Sequence, residues 1–330
     1  MENRRQFLSA LVAGCTTGLL HTRQSLAAEA PLETTRVRLA KIPAVCLAPQ
    51  YVAEELLHAE GFTEIDYIDI DAAQIGKAIG GDEVDFSTAN PVDFVQAIDA
   101  GAPIVVLGGV HVGCYELFAR EGIRSIAGLK GKTVGLKASP PAMLILMAAQ
   151  VGLDPTRDIR WITPADGQGD PLKSFVDGKL DAFLGFAPEP QEVRSHNVGH
   201  VIVDTASDRP WSQYFCCMLT GHRDFIRDNP VATKRVIRAM LKANDLCSKE
   251  PERSAKFLVD GGFTPRYDLA VEALRDNIFD KWRDYDAEDT VRFYALRLHD
   301  VGFIKNNPQK LIAEGTDWRF FNELRRELKA

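Results

Sequence analysis

Short apolar runs alternate with longer amphipathic segments from Val37 onward. Residues 37–42 alternate apolar and charged side chains, as a half-buried strand does, and residues 49–59 then have helical spacing. The remaining elements predicted for this first unit are strands at 65–70, 84–87 and 104–107 and helices at 72–80 and 91–100. Strands that alternate with helices in this order are typical of a parallel sheet covered by helices.

The alternation of strands and helices then starts again, and the chain afterwards returns to the first unit. The second unit is predicted to contain strands at 133–136, 159–162, 182–185 and 201–203 and helices at 141–151 and 172–177. One more strand, 214–219, precedes an almost wholly helical tail with boundaries at Pro230, Pro251 and Pro308. We therefore expect an α/β chain of two lobes, 36–113 plus 212–330 and 114–211, joined by two crossover segments with a ligand cleft between them.

The first 28 residues have the pattern of a secretory signal peptide. Arg4 and Arg5 precede an apolar stretch of about 14 residues, too short for the roughly 20 that span a bilayer, and small residues at 25–28 suit a cleavage site. The paired arginines resemble a twin-arginine leader. Cys15 after Val12-Ala13-Gly14 leaves a lipid anchor open as the alternative, and both alternatives place the mature chain in the periplasm.

Charge and cysteine content narrow the range of possible functions. The formal net charge is −7, and removing the leader, with three arginines and one glutamate, makes it −9. An acidic chain does not suit nucleic acid as a partner. Six cysteines in 330 residues are too few for a disulfide framework. No P-loop, G-x-S-x-G or H-E-x-x-H pattern is present, so no catalytic residue is predicted.

Three predicted strand-to-helix corners share a proline at the helix start. They contain Leu47 before Pro49, Asn90 before Pro91, and Ser139 with Pro140 before Pro141. Each corner alone is an ordinary helix start. Because helix N-termini present free N–H groups and partial positive charge, three of them at one cleft would hold an acidic ligand group.

Three further residues are candidates on the opposite side of the cleft. Glu189, between two prolines, could accept a ligand ammonium or be an exposed turn residue. Trp211 and Tyr214 lie at the second crossover, where they could stack on a ligand ring or pack beneath the hinge.

An ordered set of short motifs resembles one protein family. It comprises Pro49-Gln50-Tyr51-Val52-Ala53, Asp99-Ala100-Gly101-Ala102-Pro103-Ile104, Leu129-Lys130-Gly131-Lys132-Thr133-Val134-Gly135, Gly152-Leu153-Asp154-Pro155 and Gly178-Lys179-Leu180-Asp181-Ala182. The chain is similar, over 37–258, to the NMT1/THI5-like (SsuA/TauA/NrtA-type) substrate-binding proteins of ABC importers. The resemblance implies a type II periplasmic-binding-protein fold, a small ligand such as a sulfonate, nitrate, aromatic acid or pyrimidine, and a permease in the inner membrane as partner.

Thiols at the crossovers depart from the familiar family pattern. Cys46 lies in the first strand-to-helix loop, Cys114 at the first crossover beside His111, and the pair Cys216-Cys217 at the second. These residues could form a soft-metal or haem site. The sequence favours buried small apolar residues instead, because no C-x-x-C spacing occurs and neighbouring strand residues point to opposite faces.

These observations together predict a solute-binding protein without catalytic activity, cofactor or metal. The expected ligand is small, organic and anionic or zwitterionic, and its candidate contacts include Cys46 and His111 besides the corner and crossover residues. The alternatives are a pyrimidine-synthesis enzyme of the same family and a metal-binding, haem-binding or sensory periplasmic protein.

Overall fold

The computed structural model describes residues 29–137, 142–163, 167 and 169–328. The predicted leader with Cys15, and the corner residues Ser139 and Pro140, lie outside these residues.

The described residues contain ten strands in two mixed sheets. The strands are β1 (Arg36–Lys41), β2 (Glu64–Asp69), β3 (Phe86–Ala89), β4 (Ile104–Val112), β5 (Tyr115–Ala119), β6 (Lys132–Leu136), β7 (Ile159–Ile162), β8 (Ala182–Phe186), β9 (His200–Asp204) and β10 (Phe215–His222). The first sheet has the order β2-β1-β3-β10-β4 and the second has the order β7-β6-β8-β5-β9. In each sheet one strand is antiparallel to its neighbours, β10 in the first and β5 in the second.

Helices follow most strands and dominate after β10. They are α1 (Ala48–Val52), α2 (Glu54–Ala59), α3 (Ile75–Gly80), α4 (Pro91–Asp99), α5 (Ala142–Gln150), α6 (Pro171–Val176), α7 (Glu189–Ser195), α8 (Arg223–Asp228), α9 (Pro230–Lys249), α10 (Pro251–Asp260), α11 (Tyr267–Asp276), α12 (Ala287–Asp300), α13 (Pro308–Gly315) and α14 (Arg319–Glu327). Short 3-10 turns cover Val45–Leu47, Ala72–Gln74, Ile126–Leu129, Trp211–Gln213 and Asp280–Arg283. None of the helices within the described ranges is long and apolar enough to cross a membrane.

Each sheet has its own apolar core. All nine residues of β4 are buried, and the helical tail packs on this strand: Phe321 of α14 lies against Gly108, where a Cβ atom would be 2.6 Å from the ring. In the second sheet, Phe118, Phe175 and Phe183 belong to one buried cluster. Gln50 connects β1 to β3, since its amide donates to the carbonyl of Ala40 (2.5 Å) and accepts from the N–H of Thr88 (2.8 Å).

The predicted fold is confirmed. The chain has the two α/β sheets and the helical tail of a type II periplasmic-binding-protein fold, and each of the nine predicted strands overlaps an observed one. The strand β5 was not predicted, although it is the antiparallel strand of the second sheet. The boundaries expected for the two lobes stay a prediction. The strands β4 and β5, which lie on either side of the boundary expected between residues 113 and 114, belong to different sheets.

The two chain crossings between the sheets are bonded to each other. Thr205, which follows β9, accepts through its hydroxyl oxygen from the N–H groups of Cys114 (3.2 Å) and Tyr115 (3.0 Å) in the other crossing. The same hydroxyl donates to the carbonyl of Tyr115 (3.0 Å). Gly113 has φ +69°, and a Cβ there would lie 2.5 Å from that of Ala206. This close approach requires glycine.

We predict that Thr205→Val destabilises the protein by about 2 kcal/mol, because it leaves buried N–H groups of the first crossing without their acceptor. Urea unfolding followed by circular dichroism measures the change. Thr264→Val is the matched control, since its buried hydroxyl has no hydrogen-bond partner among the described residues and should cost little to remove. Equal losses in the two variants would contradict a structural role for Thr205.

Candidate functional site

A cleft of ≈ 700 Å³ lies between the two sheets. One wall is formed by segments that follow β1, β2 and β3, and the other by residues next to β5, β6 and β8. The carboxyl ends of parallel strands therefore face the cleft, as expected for a binding site in open α/β sheets. The volume suits a small organic molecule.

Contacts across the cleft connect the two walls. The N–H of Val45, after β1, donates to the carbonyl of Ala187, after β8, at 3.1 Å. Arg194 of α7 pairs with Glu116 in the second sheet and with Asp276 and Glu272 of α11 in the helical tail. Because this guanidinium contacts both sides, its ion pairs favour a closed cleft.

Four of the predicted site residues line this cleft: Cys46, Leu47, Asn90 and Glu189. The Asn90 side chain is already engaged at both ends. Its oxygen caps α4 by accepting from the N–H of Val92 (2.9 Å), and its NH₂ donates to the carbonyl of Cys216 (3.1 Å). Asn90 therefore shapes the wall between α4 and β10.

Glu189 is a buried acid rather than an exposed turn residue. It is the first residue of α7 and only 6% exposed. Its carboxylate accepts from the N–H of Phe186 (3.2 Å) and pairs with Lys137 (3.2 Å). Burial raises the pKa of Glu189 to about 7, although Lys137 acts in the opposite direction. A charged ligand group near Glu189 would therefore change the protonation of this carboxyl group.

Trp211 and Tyr214 do not line the cleft. Phe293 of α12 lies in edge contact with Trp211 (5.8 Å between ring centroids) and is stacked on Tyr214 (4.0 Å). The packing alternative is what the structure shows at the second crossover, because aromatic area there is buried against the helical tail. Neither side chain is among the residues that line the cleft.

The cleft also contains charged and aromatic residues that the sequence did not single out. They are Asp71, Asp93, Tyr115, Lys137 and Phe186. Lys137 follows the last residue of β6, so the rule about strand ends could have identified it. Asp93 lies in the first turn of α4, where an acid is common at any helix start. Nothing in the local sequence distinguishes it.

Asp93 is a carboxyl group without a nearby compensating cation in the described part of the chain. Burial raises its pKa to about 7. Its side chain faces the same cleft as Glu189, Lys137 and Tyr115. Near neutral pH the cleft therefore holds an acid that gains from a positively charged ligand group.

The thiols come together at the inner end of the cleft. Cys46, Cys114 and Cys217 line it, and His111 is fully buried behind them and does not line it. Strand alternation does not separate Cys216 from Cys217. Both lie near Cys114, with the sulfurs of Cys114 and Cys216 2.7 Å apart, because the register of β10 shifts between Phe215 and Cys217.

The thiols differ in their readiness to ionise. Cys114 lowers the pKa of Cys46, but Cys217 and burial outweigh it and raise the value to about 11. Burial lowers the pKa of His111, whereas Cys217 raises it, and the net result is about 10. Cys217 differs from Cys46, because its hydrogen bond with Cys114 lowers the pKa of its thiol.

We predict that Asp93→Asn stabilises the ligand-free protein more at pH 8 than at pH 5. The pKa of Asp93 is raised from its ordinary 3.8 to about 7, so its contribution to stability is fully present below about pH 4 and is lost as pH rises through 7. Thermal melts of parent and variant at both pH values measure the difference. Asp71→Asn is the control, since Asp71 is exposed in the same cleft. A gain from Asp93→Asn that does not depend on pH would contradict the assignment.

Comparisons with known proteins agree with this geometry. Curated relatives include a protein of Brucella abortus whose name describes it as a binding protein; it is 28% identical over 242 residues, which are 67% of this chain and 73% of the relative. Among solved structures, the periplasmic nitrate-binding protein NrtA from Synechocystis has a TM-score of 0.73 at 13% identity and covers 91% of this chain and 90% of its own. The alkanesulfonate-binding protein SsuA from Xanthomonas axonopodis, bound to MOPS, has a TM-score of 0.69 at 16% identity, covering 87% of this chain and all of its own.

A profile of the family described as "NMT1/THI5 like" matches residues 49–254. This match covers more than half of the chain, including the segments after β2, β3, β6 and β8 that line the cleft. The chain therefore belongs to the NMT1/THI5-like family.

Proposed function

We propose that this protein is the solute-binding component of an ABC importer and captures a small zwitterionic molecule in the cleft between its sheets. The observation that carries the proposal is the cleft itself. It has the size of a small-molecule site, it lies at the carboxyl ends of strands from both sheets, and both charge types line it.

The charges favour a zwitterion over a simple anion. Lys137 is a cation in the wall that can meet an acidic ligand group, and Ser139 and Pro140 at the following corner stay predicted contacts for the same group. Asp93 and Glu189 are carboxyl groups that gain from an ammonium. A purely anionic ligand would leave the Asp93 carboxyl without compensation. Leu47, Tyr115 and Phe186 supply apolar surface for the remainder of the ligand.

Transport is supported by the relatives. The family match and the binding-protein names of relatives suit a protein that delivers its ligand to a membrane permease. Periplasmic nitrate- and sulfonate-binding neighbours also support a periplasmic location for this chain, reached through the predicted twin-arginine leader or retained by a lipid on Cys15. Closure around the ligand would shift the population toward the form that the permease recognises.

Catalysis by Cys46 is disfavoured. A nucleophilic cysteine is ionised near neutral pH, whereas the pKa of Cys46 is raised to about 11. Cys217 also lines the cleft and its pKa is lowered through its hydrogen bond with Cys114, so we infer binding without turnover from the binding-protein names of the relatives and not from the thiols.

We predict that taurine or γ-aminobutyrate raises the melting temperature of the purified protein, and that nitrate, methanesulfonate and benzoate do so less. Ligand at about 100 times its dissociation constant would stabilise the fold by about 2.7 kcal/mol. Lys137→Met should weaken binding of the zwitterion by about tenfold or more, because it removes a charge-assisted contact worth roughly 1.5–3 kcal/mol. Isothermal titration calorimetry measures the affinity.

Lys132→Met is the matched control. Lys132 begins β6 and pairs with Asp181 (3.6 Å), whereas Lys137 follows the other end of that strand. The control should bind like the parent. Preferential binding of the simple anions would contradict a zwitterionic ligand, and equal losses in the two lysine variants would contradict the location of the site.

A further inference from the structure

Four side chains that ligate soft metals meet at the inner end of the cleft. They are Cys46 after β1, His111 in β4, Cys114 in the first crossing and Cys217 in β10. Their ligand atoms all lie within 4.8 Å of one another, and all four residues are buried. The segments are far apart in sequence, so the fold alone brings the donors together.

His111 has one ring nitrogen free for a ligand. Its Nδ1 lies 3.0 Å from the carbonyl of Gly113. A carbonyl only accepts, so Nδ1 carries a hydrogen. Metal binding releases protons from its ligands, so an ion that displaces the hydrogen of Nε2 would find a lone pair there. Nε2 is buried and has no hydrogen-bond partner among the residues described, in a side chain that is 0% exposed. Metal-ligating histidines commonly have this arrangement, with one nitrogen held by a carbonyl and the other on the metal.

We propose that Cys46, His111, Cys114 and Cys217 bind one soft cation, Zn²⁺ or Cu⁺, through three sulfurs and one nitrogen. Thiolate and imidazole ligands select these ions. Tetrahedral zinc with bonds of about 2.3 Å to sulfur places ligand atoms about 3.8 Å apart. The cluster therefore needs to contract by no more than about 1 Å to reach that geometry.

A metal ion can reach the site through the cleft, and its binding would connect separate segments of the fold. Cys46, Cys114 and Cys217 line the cleft, which gives an ion a path to the donors. Four protein ligands leave no open position, as in structural rather than catalytic zinc sites. The ion would join the loop after β1 to β4, to the first crossing and to β10. This role goes beyond solute binding and does not depend on the ligand carried by the cleft walls.

The neighbouring thiol provides the competing chemistry. The sulfur of Cys216 lies 2.7 Å from that of Cys114. If these two thiols were joined as a disulfide, Cys114 would be lost as a ligand. The same neighbour also provides a sharp control, because Cys216 is next to the proposed ligand Cys217 and is not itself in the four-residue set.

Elemental analysis of the untagged full chain tests the site. The protein is purified under reducing conditions, incubated separately with Zn²⁺ and with Cu⁺, desalted and assayed for metal by mass spectrometry. We expect about one ion per chain in the parent, as in structural sites of this type. Cys217→Ser and His111→Asn should lose most of it. Cys216→Ser and Cys247→Ser should keep it, and Cys247 is a buried thiol of α9 outside the cluster.

Cobalt spectroscopy keeps the test decisive if a variant folds poorly. Co²⁺ bound to the parent should show sulfur-to-metal charge-transfer absorption, which Cys216→Ser retains and Cys217→Ser loses, with circular dichroism reporting the fold of each. A chelator should lower the melting temperature of the loaded parent.

Three results would overturn the proposal. They are a reduced parent that retains no metal, equal metal content in Cys217→Ser and Cys216→Ser, and a Cys114–Cys216 disulfide found by peptide mass spectrometry in the protein as purified without reductant. None of them bears on solute binding, which the calorimetric titration measures separately.

Discussion

The structure depends on the two chain crossings being bonded to each other. Thr205 bonds to Cys114 and Tyr115 in the opposite crossing, and the positive φ of Gly113 lets the chain pass against Ala206. Each crossing delivers the antiparallel strand of the sheet that it enters, β5 or β10. The connection between the sheets is therefore a paired, hydrogen-bonded segment rather than a flexible linker.

The cleft concentrates groups whose charge is incompletely compensated. Burial holds the carboxyls of Asp93 and Glu189 near their neutral forms, and Lys137 offsets only the second of them. Such groups lower the stability of the empty protein at alkaline pH and become favourable when a ligand supplies the missing charge. Arg194, which contacts both sides, favours closure. The ligand-free protein is therefore less stable because of these groups. A ligand that supplies the missing charge would restore that stability.

The sequence could predict the alternation of strands and helices, because period and proline positions are local properties. It could not predict β5, since Tyr115–Ala119 has no clean alternation and becomes a strand only through pairing with β8 and β9. Asn90 and Glu189 were found from corner patterns. Asp93 was not found, because only its tertiary surroundings distinguish it from a common helix-start acid. The position of Trp211 and Tyr214 outside the cleft lining could not be predicted, because α12, which packs against them, is distant in sequence.

The central claim is that one small solute contacts both sheets in the cleft at the same time. Hydrogen–deuterium exchange with and without saturating taurine tests it most directly, because ligand binding slows exchange in the segments that it orders. The account predicts protection of both walls together, in residues 42–47, 70–74 and 88–93 on one side and 115–116 and 186–189 on the other. Protection confined to one wall, or located away from the cleft, would contradict it.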